Sequence, residues 1–192
     1  MVDTHITEGL MTIEEFIEQY DQQPFEIIDG ERKLLSPTMA DHGDVQSNLL
    51  TALIGFIAAR KIGKVYVDTP FVLTHERQWV KGSRVPDLMY FVSARLAAYK
   101  SADSDYGHKP FVLVPDLAVE IVSPTDSYSQ VTQKIKAYLK DGVRLVWVFD
   151  LERKVVQIYQ ADHTEIEVQG DGLLTGGDVI PGFEVTVNSL FA

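Results

Sequence analysis

The sequence has no cysteine and no long apolar run. The missing cysteines exclude disulfides and thiolate metal ligands, which is compatible with a reducing compartment. No apolar run approaches the roughly 18 residues that a membrane-spanning helix needs. The first residues also lack the basic region and apolar core of a signal peptide. We therefore expect a cytoplasmic protein that does not bind membranes.

Basic residues are scarce. The chain has 17 lysines and arginines against 28 aspartates and glutamates, a net charge of −11. This surplus disfavours broad electrostatic binding to nucleic acid or membrane, although a local basic groove remains compatible with it. The histidines contain no i, i+4 pair of the kind that binds metal on a helix, and the sequence has no glycine-rich phosphate-binding motif.

The apolar content is sufficient for a hydrophobic core. At 192 residues, 45% of them hydrophobic, the chain is long enough for one domain, which we assign to residues 11–192 after a flexible start at residues 1–10. Helical and strand patterns alternate irregularly along it. We predict an α/β (α+β) fold in which a mixed β-sheet is flanked by helices, with additional β-hairpins.

The first half of the chain carries clear boundary signals. Thr12-x-x-Glu15 is a capping box before a helix that runs to Tyr20. Asp29-Gly30 predicts a hairpin turn between strands at 25–28 and 32–35. A long helix is expected after Asp41 as its cap, with a core stripe from Val45 to Ile57 that includes Ile54, and with Gly63 ending it. Strands follow at 64–68 and 71–74, then a polar turn region at 76–84.

The stretch 114–150 contains a carboxylate in an unusual place. Leu117–Val122 is a short apolar run, typical of a buried strand, that ends at Ser123-Pro124. Alternate side chains of a strand point to opposite faces, so Glu120 shares a face with Ala118 and Val122. A strand that is apolar on both faces is usually covered on both. Glu120 then requires a cation, a proton or a metal, because an unpaired buried carboxylate is costly.

A second strand repeats this anomaly. Residues 85–92 read as a strand in which Asp87 is the only charged residue. Two isolated carboxylates on two apolar strands suggest one chemical site. The alternative is that each lies at a strand end, where it is solvated or paired with lysine or arginine.

The helix predicted at 129–141 supplies a candidate cation. With about 100° per residue, Val131, Ile135, Tyr138 and Leu139 define its buried face, and Gly142 ends it. Lys134 falls at the edge of that face, whereas Lys136 and Lys140 fall on the solvent side. Lys134 could therefore extend towards the neighbouring strands, although a boundary lysine that only covers apolar surface is the common alternative.

Together these segments resemble a known family. VPDLMYF, PDLAVEIVSPTDS and KIKAYLKDGVRLVWVFD, in this order and spacing, resemble the "putative restriction endonuclease" family of the PD-(D/E)XK nuclease superfamily. FEIIDGE, His42 at the start of the long helix, and a closing PGF extend the likeness to roughly residues 10–192. Each motif is weak alone, and their combination is the specific signal.

The resemblance implies a restriction-endonuclease-like fold and a metal-dependent site. Asp87, Glu120 and the carbonyl of Ile121 would bind Mg²⁺ or Mn²⁺, which suits carboxylates combined with waters and phosphate oxygens. The superfamily lysine normally stands two residues after the acid, where this chain has Val122. Lys134 from the following helix is the matching residue in this family.

Two further residues have open roles. Glu26 would add acidity at the edge of the site, or it is a solvent-facing hairpin residue. His42 would contact phosphate or the acidic residues, or it is structural.

Three functions are compatible with the sequence. The first is a metal-dependent DNA endonuclease that works as a homodimer, because cutting both strands needs two sites. The second is a catalytically weak or inactive interaction domain with the nuclease fold, suggested by the −11 charge and by Val122. The third is hydrolysis of another phosphoester, such as RNA or a nucleotide.

Overall fold

The computed structural model describes residues 11–76, 78–122 and 127–192. The expected flexible start at residues 1–10 and the Ser123-Pro124 step lie outside the described residues. Within them the helices are α1 (Ile13–Gln22), α2 (Ala40–Arg60), α3 (Ser93–Ala102), α4 (Tyr128–Asp141) and α5 (Val187–Leu190). The strands are β1 (Met11–Thr12), β2 (Phe25–Ile28), β3 (Glu31–Leu34), β4 (Gly63–Val67), β5 (Phe71–His75), β6 (Trp79–Arg84), β7 (Leu88–Val92), β8 (Leu117–Val122), β9 (Leu145–Asp150), β10 (Val155–Gln160), β11 (Glu165–Gln169), β12 (Leu173–Thr175) and β13 (Glu184–Thr186).

A six-stranded mixed sheet is the centre of the fold. Its strand order is β11-β10-β9-β8-β7-β4, with β8 and β9 parallel and every other pair antiparallel. A five-stranded sheet is built around β6, which pairs with β5 on one side and with β1 and β2 on the other, and β3 pairs with β2. The mixed sheet with helices and hairpins confirms the predicted fold class.

Helices cover both faces of the central sheet. On one face α2 buries Val45, Leu49, Leu53 and Ile57 against the β8 side chains at odd positions, 117 to 121. On the other face α4 packs Ile135 and Tyr138, in the same cluster as Ala118. The alternation predicted for β8 is therefore confirmed, and burial on both faces explains why Glu120 is the only charged residue in the strand.

The smaller sheet has its own core and carries Glu26 on β2. The Thr12–Glu15 capping box forms as predicted and starts α1. Phe16 of α1 packs on Phe25 with ring centroids 5.1 Å apart, in a cluster with Val80 of β6. This packing fixes β2 beside β6, which brings Glu26 close to the residues that follow β6.

Helix α2 differs from its prediction at both ends. It begins at Ala40 after Met39, and no side chain caps it, so Asp41 lies in the first turn, where a negative charge still suits the helix dipole. It ends at Arg60 because Lys61 adopts a left-handed conformation (φ 55°), and Gly63 begins β4 instead. Ile54, expected in the core, is 51% exposed. No helix in the described part of the chain, α2 included, is long and apolar enough to cross a membrane.

The predicted polar turn at 76–84 is wrong, because Trp79–Arg84 forms the central strand of the smaller sheet. Two of its polar residues are buried with partners: the Ser83 hydroxyl accepts the Ile27 N–H at 2.9 Å, and Arg84, 3% exposed, donates to the Ile27 carbonyl. The strand predicted at 85–92 begins only at Leu88, since Pro86 has no N–H for a ladder. Asp87 therefore precedes β7.

The close approach of β4 and β7 at Gly63 gives a stability prediction. A Cβ at Gly63 would collide with the Tyr90 ring and the Phe91 carbonyl oxygen, and the latter is backbone that cannot turn away. We expect Gly63→Ala to lower the free energy of unfolding by about 1–3 kcal/mol through overpacking.

Gly55 is the matched control. It is an exposed residue inside α2, and the space that an added methyl group would occupy is open. Gly55→Ala should therefore raise stability by about 1 kcal/mol, as helix propensity dictates. Urea unfolding of both variants measures the two values, and equal effects would contradict this explanation.

Candidate active site

Asp87 and Glu120 lie side by side where β7 and β8 separate. The pairing of these strands runs from Tyr90 opposite Leu117 to Leu88 opposite Val119, so Asp87 and Glu120 occupy the next positions. Beyond the last β7–β8 pair, the Asp87 carboxylate replaces a backbone acceptor: its Oδ2 accepts the Ile121 N–H at 2.5 Å. One aspartate side chain thus holds the strand that carries the glutamate.

Helix α2 holds Asp87 from one side. His42 Nε2 lies 3.0 Å from Asp87 Oδ1, and the His42 side chain is buried. One helical turn later, Gln46 Nε2 donates to the main-chain oxygen of Asp87 and to Asp68 Oδ1, both at 3.1 Å. Residues four apart share one helix face, so a single face of α2 contacts the side chain and the backbone of Asp87.

Helix α4 holds Glu120 from the other side. Lys134 Nζ is 2.7 Å from Glu120 Oε2, and the Tyr138 hydroxyl donates to Glu120 Oε1. Lys134 and Tyr138 are also four residues apart on one helix face. The lysine side chain is 20% exposed, so it extends from the edge of the buried face into the site.

Glu26 completes the cluster from the smaller sheet. Its Oε1 is 3.2 Å from Lys134 Nζ and accepts the Val85 N–H at 2.7 Å. Glu26 is only 4% exposed, so it is not the solvent-facing hairpin residue that was one of its two interpretations. Lys134 consequently bridges a carboxylate of each sheet.

Burial controls the ionisation of these groups. Desolvation raises the pKa of Glu120 from 4.5 to about 8; the Lys134 charge opposes this, and the charges of Asp87 and Glu26 add to it. For Lys134 desolvation lowers the pKa, but the surrounding charges of Glu120, Glu26 and Asp87 outweigh it, so the pKa is raised and the amine is cationic. Burial, followed by the Glu120 charge, raises the pKa of the Tyr138 hydroxyl.

The cluster is short of positive charge. Glu26 and Glu120 share one lysine, and Asp87 lies beside Glu120. Burial, followed by the Asp87 charge, raises the pKa of the neighbouring Asp68. Over residues 11–76, 78–122 and 127–192, no three histidine, aspartate or glutamate side chains are grouped so as to hold a metal on their own. A cation here would need further ligands from backbone, water or substrate.

The structure brings together all six residues singled out in the sequence: Glu26, His42, Asp87, Glu120, Ile121 and Lys134. Sequence reasoning missed Tyr138, Gln46 and Asp68. The first two could have been found from helix spacing, because they stand four residues after Lys134 and His42. Tyr138 was assigned only to the buried face, although a buried tyrosine hydroxyl needs a partner.

Comparison with known proteins first identifies the class of fold. The structure is similar to that of a "putative nuclease" from Anabaena variabilis, with a TM-score of 0.76 and 20% sequence identity over 94% of this chain and 97% of the other. This likeness shows that the two chains share a fold.

The family follows from the sequence itself. The model of the Uma2 family, described as "Putative restriction endonuclease", matches residues 13–188. The chain belongs to this family, which confirms the resemblance derived from its motifs. No curated protein sequence matches the chain. Family and fold together support a nuclease function in general.

The raised pKa of Glu120 generates a prediction about stability and pH. Because the pKa of Glu120 is raised to about 8 in the folded protein from the ordinary 4.5, the folded state binds the Glu120 proton more tightly than the unfolded chain does. The Glu120 contribution to stability is therefore full below 4.5 and is lost as the pH rises through the folded-state value. Glutamine does not titrate. The free energy of unfolding of the wild type should therefore fall relative to that of Glu120→Gln as the pH rises from about 5 to about 9.

Chemical denaturation across this pH range tests the prediction. Glu18→Gln, which makes the same replacement at an exposed position of α1, is the control. Parallel stability curves for wild type and Glu120→Gln would contradict it.

Proposed function

We propose that this protein is a metal-dependent endonuclease that hydrolyses phosphodiester bonds in DNA. The observation that carries the proposal is the bridge of Lys134 between Glu26 and Glu120, beside an Asp87 that is hydrogen-bonded to the Glu120 strand. Two carboxylates and a cationic amine around one point are the groups that phosphodiester hydrolysis requires.

The donor set fits a divalent ion such as Mg²⁺ or Mn²⁺. Mg²⁺ takes one or two carboxylates and completes its shell with waters and phosphate oxygens, so a group of three protein carboxylates is not needed. We assign Asp87, Glu120 and the Ile121 carbonyl as its ligands. In a strand the N–H and C=O of one residue point the same way, and the Ile121 N–H points at Asp87. When bound, the ion would acidify a water and offset charge on the scissile phosphate.

Lys134 would act as a hydrogen-bond donor. Its raised pKa keeps it charged at neutral pH, so it is unsuited to accept a proton from water. A fixed ammonium can orient the attacking water and stabilise negative charge that develops on phosphate oxygens as the new P–O bond forms and the leaving P–O bond breaks. Glu26 would hold the amine in place, and His42 would hold Asp87 through Oδ1.

DNA as substrate rests on the family description as a restriction endonuclease. A double-strand cut requires two such sites, and we therefore propose that the protein acts as a homodimer. With a net charge of −11, DNA binding would depend on local contacts and would weaken steeply with salt.

Cleavage of supercoiled plasmid and of single-stranded DNA with Mg²⁺ or Mn²⁺ tests the function. We expect the wild type to cut in the presence of the ion and Lys134→Ala to lose about 100- to 1,000-fold in kcat, the range found when a donor to transition-state charge is removed. Lys136→Ala is the matched control, since Lys136 is exposed on the same helix.

Three outcomes separate the alternatives. Equal losses for Lys134→Ala and Lys136→Ala would contradict the role of Lys134. Cleavage of RNA alone would favour the other phosphoester. A wild type that leaves every substrate intact would favour a non-catalytic domain. One observation supports that alternative: all four carboxylate oxygens of Asp87 and Glu120 already contact protein donors.

A further inference from the structure

Lys134 lies on α4, so the position of its amine depends on contacts that fix α4 against the two sheets. A strand lysine two residues after Glu120 would be placed by the strand itself, but this position is Val122. Lys134 instead depends on the rotation and height of α4 relative to β2 and β8. A shift of about 1 Å in a catalytic group can lower the rate about 100-fold. The anchor of α4 therefore matters for the reaction.

A buried ion pair ties the end of α4 to the smaller sheet. Arg84 Nη2 lies 2.8 Å from Asp141 Oδ2, with the two side chains 4% and 8% exposed. Asp141 is the last residue of α4, and Arg84 is the last residue of β6. The same guanidinium donates through Nη1 to the Ile27 carbonyl at 2.5 Å and to the Ser83 carbonyl at 2.9 Å. One side chain thus connects β2, β6 and α4.

The neighbours of this ion pair lead directly to Lys134. Ile27 follows Glu26 on β2, and Arg84 precedes Val85, whose N–H donates to Glu26. Asp141 stands about two helical turns after Lys134. The arginine therefore fixes both the strand that carries Glu26 and the helix that carries Lys134, and their side chains meet at 3.2 Å.

Besides the Lys134–Glu26 contact, the links between α4 and the β2–β3 hairpin are more exposed. The Lys33 amine donates to Gln133 Oε1. Gln133 Nε2 donates to Asp29 at 3.2 Å, and Lys140 Nζ lies 3.7 Å from Asp29, which is exposed. Exposed ion pairs contribute little and many contribute nothing measurable, whereas a buried pair cannot lose one partner without leaving a charge unpaired. The Arg84–Asp141 pair is thus a buried polar contact that joins the end of α4 to the smaller sheet, in addition to the apolar packing of α4 on the central sheet.

We propose that Arg84 and Asp141 are positioning residues whose buried ion pair sets the placement of α4 at which Lys134 bridges Glu26 and Glu120. The structural half of this proposal stands on the contacts alone. Its catalytic half rests on the proposed nuclease function.

The structural half can be tested without activity. Amine acetylation with an N-hydroxysuccinimide ester, followed by peptide mass spectrometry, reports how far each lysine is held in contacts. In the wild type Lys134 should react more slowly than Lys136 of the same helix, which is exposed. In Asp141→Asn the reactivity of Lys134 relative to Lys136 should rise several-fold.

Two further variants keep the test decisive. The double variant Arg84→Met, Asp141→Leu removes both charges, so no buried charge is left unpaired and the fold should persist. It should show the same rise at Lys134. Arg95→Gln removes an ion pair that joins Asp116 at 2.7 Å, away from the site, and should leave Lys134 unchanged. A folded double variant with wild-type Lys134 reactivity overturns the proposal.

The catalytic half is read from kinetics and metal binding together. Mn²⁺ affinity, measured by titration calorimetry, should stay within about twofold of wild type in the double variant, while kcat falls by about 100-fold. In a Lys134→Ala background the same double change should cause no further loss, because the effect acts through Lys134. An equal loss in both backgrounds overturns the positioning role. If the wild type lacks nuclease activity but the acetylation result holds, the proposed function fails and the positioning survives.

Discussion

The separation of β7 from β8 is the constraint on which the site depends. Pro86 has no N–H with which to continue the ladder towards β8, and the Asp87 carboxylate replaces a backbone partner by accepting the Ile121 N–H. On the β4 side the main-chain oxygen of Asp87 accepts the Asp68 N–H at 3.2 Å. The register of β7 and β8 sets Asp87 beside Glu120, and the Asp87–Ile121 bond joins the two segments beyond their last strand pair, while β9 pairs with the other edge of β8 as far as its last residue. Without the bond the Ile121 amide would lose its partner on this side.

Two helices then hold the two carboxylates in the same manner. A pair of residues one turn apart on α2, His42 and Gln46, contacts Asp87, and a pair one turn apart on α4, Lys134 and Tyr138, contacts Glu120. These contacts offset part of the desolvation of the acidic groups, but the raised pKa of Glu120 shows that burial still outweighs them. Several carboxylates close together in a buried site are electrostatically unfavourable, and a bound divalent cation would reduce that free-energy cost.

Much of this site could be predicted from sequence because each signal was local. The alternation along β8 isolated Glu120, and the periodicity of α4 separated Lys134 from Lys136. The strand β6 could not be predicted, since its polar residues looked solvated, whereas Arg84 and Ser83 are buried with partners from β2 and α4 that lie far away in sequence. Asp87 was placed inside a strand for the same reason: its hydrogen bond to Ile121 is a tertiary contact.

We propose above all that Asp87 and Glu120 bind one divalent ion. Calorimetric titration of Mn²⁺ into wild type, Asp87→Ala and Glu120→Ala, with and without a short DNA duplex, tests it most directly. We expect the wild type to bind Mn²⁺, more tightly with the duplex because phosphate oxygens complete the shell, and we expect both variants to lose binding. Binding that persists unchanged in either variant, or no binding by the wild type in both conditions, would contradict it.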